Sequence, residues 1–517
     1  MTKERVGSYP QPDRWSYLWL AVGTLLMPFL AGSWPISLAA WLAPVFFIRL
    51  MRTRKVLPGY ILAVIGLSIA NTVGWWAENP MPGVPAPIFG LVVGLSYSVA
   101  FLVDRLLVPR LRGRDGQLHF AATLVFPLFL TAFEFLFYSN LTYGSYGSWA
   151  YAQHSNLGLM QLTSVTGLWG LTFLVGWFGS VVNWTWERSF SWPEIRGGVA
   201  VFGGILLVVL AFGDIRLTLS FPNASRVRVH SFTALDEFGE RLLVEDLFPL
   251  LQIDIDALRR RTASMSDLYI EGTIREAQAG AQIVVWPEAS VVGLKEDIDA
   301  VVARGEEVAR QEDIYLAMGP YILFPDEDRQ ELRLIVVDPS GKIVIDHLKY
   351  AYGMGTRLNE VDLQTVDTPY GRLSGVLCGD LDFPGVVKQA GQKGVDILLN
   401  PSMEVRADES PWHVRYAAFR AVENGVSLVR ATAGGVSIAT DPYGRVLASM
   451  DHLTTDDRVM VAQVPTRRVP SVYAMVGDLF GWLAVVGFVI LAGWAILRGR
   501  KGGADVAASP ESQARSM

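Results

Sequence analysis

The sequence predicts a polytopic α-helical membrane bundle of about eight spans joined to an exterior α/β domain. Three observations lead there. Apolar residues make up 51% and charged residues 18% of the 517-residue chain, and the apolar excess is gathered into long runs. Those runs stop near Phe212 and return only at Val476. Between them, from about Asn223 to Arg468, lie most of the acidic residues, in a stretch that alternates strand-like and helix-like patterns and is long enough to bury its own core.

The runs are Ser16 to Trp34, Ile36 to Leu50, Tyr60 to Trp76, Ile88 to Val108, Phe120 to Tyr138, Leu159 to Trp184, Gly198 to Phe212 and Val476 to Leu497. Most of them can cross a hydrocarbon core of roughly 30 Å as helices. The expected organisation is a membrane domain of seven transmembrane helices over residues 1–222, a globular domain over 223–470, a closing transmembrane helix over 471–500 and a disordered tail over 501–517.

Orientation follows from the short connections, because Lys and Arg are retained on the cytoplasmic side. They cluster before the first run (Lys3, Arg5, Arg14), after the second (Arg49, Arg52, Arg54, Lys55), after the fourth (Arg105, Arg110, Arg112, Arg114), after the sixth (Arg188, Arg196) and after the last (Arg498, Arg500, Lys501). The connections Gly32 to Pro35, Glu78 to Pro87 and Ser139 to Asn156 contain neither, and Arg216 is a lone exception. Both termini and the tail are thus expected in the cytoplasm and the globular domain outside. The first run leads into a second without a clear small-residue cleavage site, which argues against a cleaved signal peptide.

Composition excludes several function classes. A chain with one cysteine forms no internal disulfide, and its six histidines show no ligand spacing, so neither a metal nor another cofactor is expected. Basic residues are segregated to one face without an aromatic patch, so no nucleic-acid partner is expected.

Three positions in the exterior domain carry chemistry. Gln282 to Trp286 reads as a buried strand stopped by Pro287, with Glu288 at its edge, either as the first polar residue of a loop or as a general base. Leu332 to Val337 and Lys342 to Ile345 flank the turn tetrad Asp338-Pro339-Ser340-Gly341 and predict a β-hairpin. Lys349 follows it, either a solvated surface lysine or a fixed cation for an oxyanion. Cys378 closes an apolar strand and precedes a helix-like segment over Phe383 to Lys393 and a strand over Val395 to Leu399. Such an elbow favours a thiolate, and the bland alternative is a buried inert cysteine. Neither His347 nor His413 lies in a motif that demands pairing with the thiol.

Taken together, the order Glu288, Lys349, Cys378, each just past a strand, resembles the nitrilase or carbon-nitrogen hydrolase superfamily, and the placement between membrane runs resembles the apolipoprotein N-acyltransferase family. Further matches are Val285-Trp286-Pro287-Glu288, Arg420 to Gly425, Val429-Arg430-Ala431-Thr432, Gly435, Asp441 to Arg445 and, more loosely, Trp149 to Gln153 with Leu162, Gly167 and Gly170. The resemblance implies a nitrilase-like α-β-β-α sandwich on the exterior or periplasmic side of a bacterial plasma membrane, and a catalytic triad of Glu288, Lys349 and Cys378. It implies an acyl donor that is a membrane phospholipid, an acceptor that is the N-terminal amine of a diacylglyceryl-modified lipoprotein, and a thioester on Cys378 between them. A monomer is expected. The competing readings are a membrane-tethered amidase and a catalytically silent nitrilase-like module that binds lipid or protein.

The chain departs from the family beside these residues. Gly379 and Asp380 stand where the family usually has tyrosine and glutamate. Gly379 offers a backbone NH to an oxyanion, and Asp380 either holds the amine or orients Lys349. The family's second glutamate after the lysine is missing at its usual spacing, and Glu360 is the candidate substitute. Asn400-Pro401-Ser402-Met403-Glu404-Val405 replaces an Asn-Asp-Ala-Trp-Phe-Gly run.

Overall fold

The computed structural model describes residues 14–32, 34–76, 83–113, 118–139, 144–219, 225–234, 254–325, 329–351, 361–404 and 410–507. Among these, five helices are long and apolar enough to cross a membrane: Val56–Gly74, Ala86–Leu111, Phe120–Tyr138, Trp192–Thr218 and Leu479–Arg498. A sixth candidate is the pair Leu157–Thr166 and Leu168–Trp186, which bends by 119°. The bend falls at Gly167, whose φ of +63° suits glycine and where a Cβ would lie 2.6 Å from the Tyr473 ring. The first two apolar runs form shorter helices, Ser16–Leu26 and Ser37–Thr53, so the count reached by length and composition is five or six against the eight expected.

Polar ties hold the bundle. Arg52 makes a two-pronged bond to Asp104 at 2.9 and 2.8 Å and reaches Glu187 at 3.0 Å, joining three helices at one end. Glu134 is fully buried and accepts from Tyr97 Oη, Ser148 Oγ, the Trp149 backbone NH and Thr172 Oγ1 at 2.7 to 3.0 Å. A buried carboxylate is tolerated when its lone pairs are met in this way.

The α/β domain consists of two stacked sheets. The first contains β1 (Arg226–Phe232), β2 (Ile283–Leu294), β3 (Tyr315–Phe324), β4 (Arg329–Val337) and β5 (Ile343–Leu348). The second contains β6 (Thr365–Thr368), β7 (Gly371–Gly375), β8 (Ile397–Met403), β9 (Ser427–Ala433), β10 (Val436–Thr440) and β11 (Val446–Asp451). The chain then returns as β12 (Val459–Pro465), antiparallel to β1. The sheet orders are β12-β1-β2-β3-β4-β5 and β11-β10-β9-β8-β7-β6.

Residues from both sheets, among them Val285, Leu334, Leu377, Leu399 and Val429, share one buried cluster. Helices Ile255–Gln278 and Lys295–Gln311 pack on the first sheet, and Pro384–Gln392 and Ser410–Asn424 belong to the second half, giving the α-β-β-α layering. The hairpin turn forms as its sequence dictates: Asp338 accepts from the Ser340 and Lys342 backbone NH groups, and Gly341 takes a φ of +80°.

The sandwich is bonded directly to the bundle. Ser145, from the loop before Trp149, donates its backbone NH to Asp382 O at 2.7 Å. Arg420, fully buried, donates to Ser145 Oγ and Tyr151 Oη, both at 2.7 Å. The approach at the neighbouring Gly144 is so close that a Cβ would stand 2.3 Å from Asp382 O.

Candidate active site

Glu288 sits inside β2, because that strand does not stop at Pro287 as the sequence suggested. Its parallel register to β3 slips between Val285 and Glu288, and the slip accommodates a residue that has no NH to give the ladder. The slip also breaks the two-residue alternation of side chains: Trp286 donates to Thr273 on the covering helix at 2.8 Å, whereas Glu288 meets Lys349. Lys349 is fixed just past β5 by its backbone NH, which donates to Leu332 O at 2.9 Å. Its Nζ lies 2.5 Å from Glu288 Oε1, with Glu288 only 2% and Lys349 only 6% exposed.

Cys378, 6% exposed, follows β7 and opens a 3-10 turn over Cys378–Asp382. Its φ of +40° is costly for a residue with a Cβ. The Sγ faces Met403 O at 3.7 Å.

Burial pushes the Cys378 thiol well above its ordinary pKa and the Glu288 carboxylate adds to the shift, while Lys349 opposes it. Desolvation thus opposes the thiolate that the elbow's position favours. For Lys349, burial favours the neutral form, but the neighbouring Glu288 carboxylate outweighs it and keeps the ammonium charged. Glu288, Lys349 and Cys378 thus act on one another electrostatically.

Gly379 is buried in the same turn. Asp380, also fully buried, clasps the two loops: its carboxylate accepts from the backbone NH groups of Tyr350 at 3.0 Å, Ala351 at 2.8 Å and Leu377 at 3.1 Å, and pairs with His347 Nε2 at 2.9 Å. Its contacts link the segment after Lys349 to the residue before Cys378. Glu360 lies outside the described residues.

A second buried charge cluster escaped the sequence reading. Glu404, just past β8, is paired with Arg430 and with His413 Nδ1 at 3.0 Å. Arg430 also donates to Asn400 Oδ1 at 2.9 Å, and Asn400 Nδ2 donates to the carbonyls of Val376 at 3.1 Å and Cys378 at 3.3 Å. Burial alone would lower the His413 pKa, but Glu404 and Asp382 raise it to about 10, and its cation together with Arg430 holds Glu404 below the usual carboxylate range despite burial. The available signal was the polar residues Asn400, Ser402 and Glu404 ending an apolar strand. Neither His347 nor His413 is bonded to the thiol; each is paired with a carboxylate. Among the described residues, no group of three His, Cys, Asp or Glu side chains is placed to hold a metal.

This sandwich and its helical partner match known families. The carbon-nitrogen hydrolase family matches residues 251–473, and the apolipoprotein N-acyltransferase N-terminal domain matches residues 21–181. The apolipoprotein N-acyltransferase of Geobacter metallireducens is 24% identical over 96% of this chain and 98% of its own length. That of Bradyrhizobium diazoefficiens is 26% identical over 82% of this chain and 80% of its own. An amidase from Nesterenkonia sp. aligns with a TM-score of 0.36 and 20% identity over 47% of this chain and 92% of that one. The α/β domain is similar to the carbon-nitrogen hydrolases, and with its N-terminal bundle included the chain is similar over most of its length to the apolipoprotein N-acyltransferases.

Proposed function

We propose that this protein is a phospholipid-dependent N-acyltransferase that acylates the N-terminal amine of diacylglyceryl-cysteine lipoproteins through a thioester on Cys378. The observation that carries this reading is the Glu288–Lys349 pair at 2.5 Å acting on a buried cysteine held in a strained turn, in a sandwich bonded to a bundle of apolar helices. In the first half-reaction Glu288 takes the thiol proton as the sulfur attacks the ester carbonyl of the phospholipid. Transfer coupled to attack suits a thiol whose burial disfavours a free thiolate. The developing oxyanion is stabilised by the Lys349 ammonium and the Gly379 backbone NH. Glu288 returns the proton to the departing lysophospholipid oxygen, leaving the acyl thioester. In the second half-reaction Glu288 deprotonates the attacking amine, the carbon–nitrogen bond forms, and the carbon–sulfur bond breaks to restore the thiol.

Asp380 serves in this scheme as a positioning residue, since its contacts join the segments bearing Lys349 and Cys378. The burial of all three reacting groups shields the thioester from water, which favours transfer over hydrolysis. The basic connections favour a topology with both termini in the cytoplasm and the sandwich outside, where the two shorter N-terminal helices complete an eight-span arrangement.

The test is incubation of the purified protein with isotopically labelled phospholipid and a diacylated lipopeptide. Mass spectrometry is expected to find one labelled acyl chain in amide linkage on the lipopeptide, absent with Cys378→Ala. Labelled free fatty acid without amide would assign a hydrolase instead.

A further inference from the structure

The nucleophile turn is gripped from two sides, and only the Asp380 side has a part in the proposed reaction. Asp380 holds the turn from within, through the Leu377 backbone NH. From the second sheet it is held by Asn400, a fully buried side chain on β8. Asn400 Nδ2 donates to the carbonyls of Val376 at 3.1 Å and Cys378 at 3.3 Å, the residues on either side of Leu377. The amide is locked in that orientation. Its Oδ1 accepts from Arg430 Nη1 at 2.9 Å and from Ser402 Oγ at 3.0 Å, which leaves the NH2 group facing the turn.

Holding the Cys378 carbonyl fixes the neighbouring peptide group as well. A peptide unit is planar and trans, so the C=O of Cys378 and the N–H of Gly379 share one plane and point in opposite directions. With the carbonyl drawn toward Asn400, the Gly379 NH is turned away from it. That NH belongs to a buried residue, and among the described residues it meets no acceptor. Buried NH groups without a partner are costly and rare. An acceptor that arrives only during the reaction accounts for this one, and an oxyanion formed beside Cys378 is such an acceptor. The φ of +40° at Cys378 needs a brace of the same kind, since strained backbone persists only where its surroundings over-determine it.

From this geometry we infer that Asn400 is a positioning residue for the oxyanion donor: its bond to the Cys378 carbonyl aims the Gly379 NH at the carbonyl oxygen under attack. The inference rests on the acyl-transfer reading and deepens it by assigning the residue that sets the oxyanion site. Asn400 itself touches no substrate. Both half-reactions raise a negative oxygen on the same acyl carbon, so both draw on it.

Asn400→Asp keeps an acceptor for Arg430 and replaces the NH2 donor with a second acceptor facing two carbonyls. Full-length protein in detergent micelles is loaded with phospholipid, acyl-Cys378 is followed by intact mass, and the thioester is chased with a diacylated lipopeptide. In parallel, Cys378 is labelled with methyl methanethiosulfonate, a small reagent that takes the sulfur without building an oxyanion. Loading and amide transfer are both expected to fall about 10- to 100-fold per folded molecule, a part of the roughly 10²- to 10³-fold that loss of a whole oxyanion donor costs. Thiosulfonate labelling is expected to keep its wild-type rate. Ser402→Ala, which removes one of the bonds that lock the amide, is expected to show a smaller loss of the same kind, and it carries the test should Asn400→Asp not fold. Wild-type loading in the folded variants would overturn the inference, as would equal losses in loading and thiol labelling, which mark a purely structural role. Failure of the wild-type protein to form acyl-Cys378 while its thiol still reacts with the thiosulfonate would overturn the acyl-transfer reading beneath it.

Discussion

Two buried glutamates, Glu288 at β2 and Glu404 just past β8, lie on opposite sheets of the sandwich, and their surroundings differ in kind. Glu404 is bonded to both Arg430 and His413, and Arg430 leads through Asn400 to the carbonyl of Cys378. Glu288 shares its space with one ammonium and a thiol whose ionisation burial opposes. The first arrangement is balanced and leaves Glu404 no proton to exchange near neutrality. The second brings a carboxylate to a nucleophile that has a proton to lose. Burial and charge are common to both, so what distinguishes a reactive site from a structural one here is the pairing of an acceptor with a removable proton beside a strained side chain.

Removing one partner from each cluster is the strongest way to break this comparison. Lys349→Gln leaves Glu288 buried without its cation and removes oxyanion stabilisation, so acyl-enzyme formation is expected to fall by about 10²- to 10³-fold per folded molecule. Glu404→Gln leaves two cations without their carboxylate, and is expected to cost about 3–5 kcal/mol of stability while acyl-enzyme formation per folded molecule stays within about tenfold of wild type. Loading kinetics by intact mass, alongside thermal melting in detergent, separates the two. Equal catalytic losses would erase the distinction.

Asp380→Asn sharpens it further. The amide keeps one acceptor oxygen but loses the charge that gathers the Tyr350, Ala351 and Leu377 NH groups and His347. A loss of roughly tenfold in loading rate is expected, in line with a charged hydrogen bond of about 1.5–3 kcal/mol partly retained. It should be common to both half-reactions, because the residue positions the triad and touches neither substrate.

The smallest effect is a pH dependence at the balanced cluster. The His413 pKa is raised from 6.5 unfolded to about 10 folded, so its contribution to stability is fully present below about pH 6.5 and is lost as pH rises through about 10. The melting temperature of wild type should therefore exceed that of His413→Gln by most near pH 6.5, with the gap closing toward pH 10. A gap that widens with pH would show that His413 is buried neutral.

Much of this was legible in the sequence where local pattern and chemistry coincide. The hairpin around Asp338 to Gly341 and the strand, cysteine, helix, strand order around Cys378 follow from turn residues and hydrophobic periodicity alone. Pro287 misled, because proline normally ends a ladder and only the tertiary register slip lets β2 continue past it. The run from Ser16 to Trp34 differs in extent: its α-helix covers Ser16–Leu26, followed by a 3-10 turn at Met27–Phe29 containing Pro28. The Glu404 cluster was invisible, since Glu404, His413 and Arg430 meet only through tertiary packing.

The central claim is that the cysteine held beside Glu288 and Lys349 carries the acyl group. Its most direct test is the intact mass of the protein after exposure to phospholipid alone, followed by peptide mapping. An added mass of one acyl chain, located on Cys378 and missing in Cys378→Ala, is the predicted result; an unmodified Cys378 in a protein that still acylates lipopeptide would contradict it.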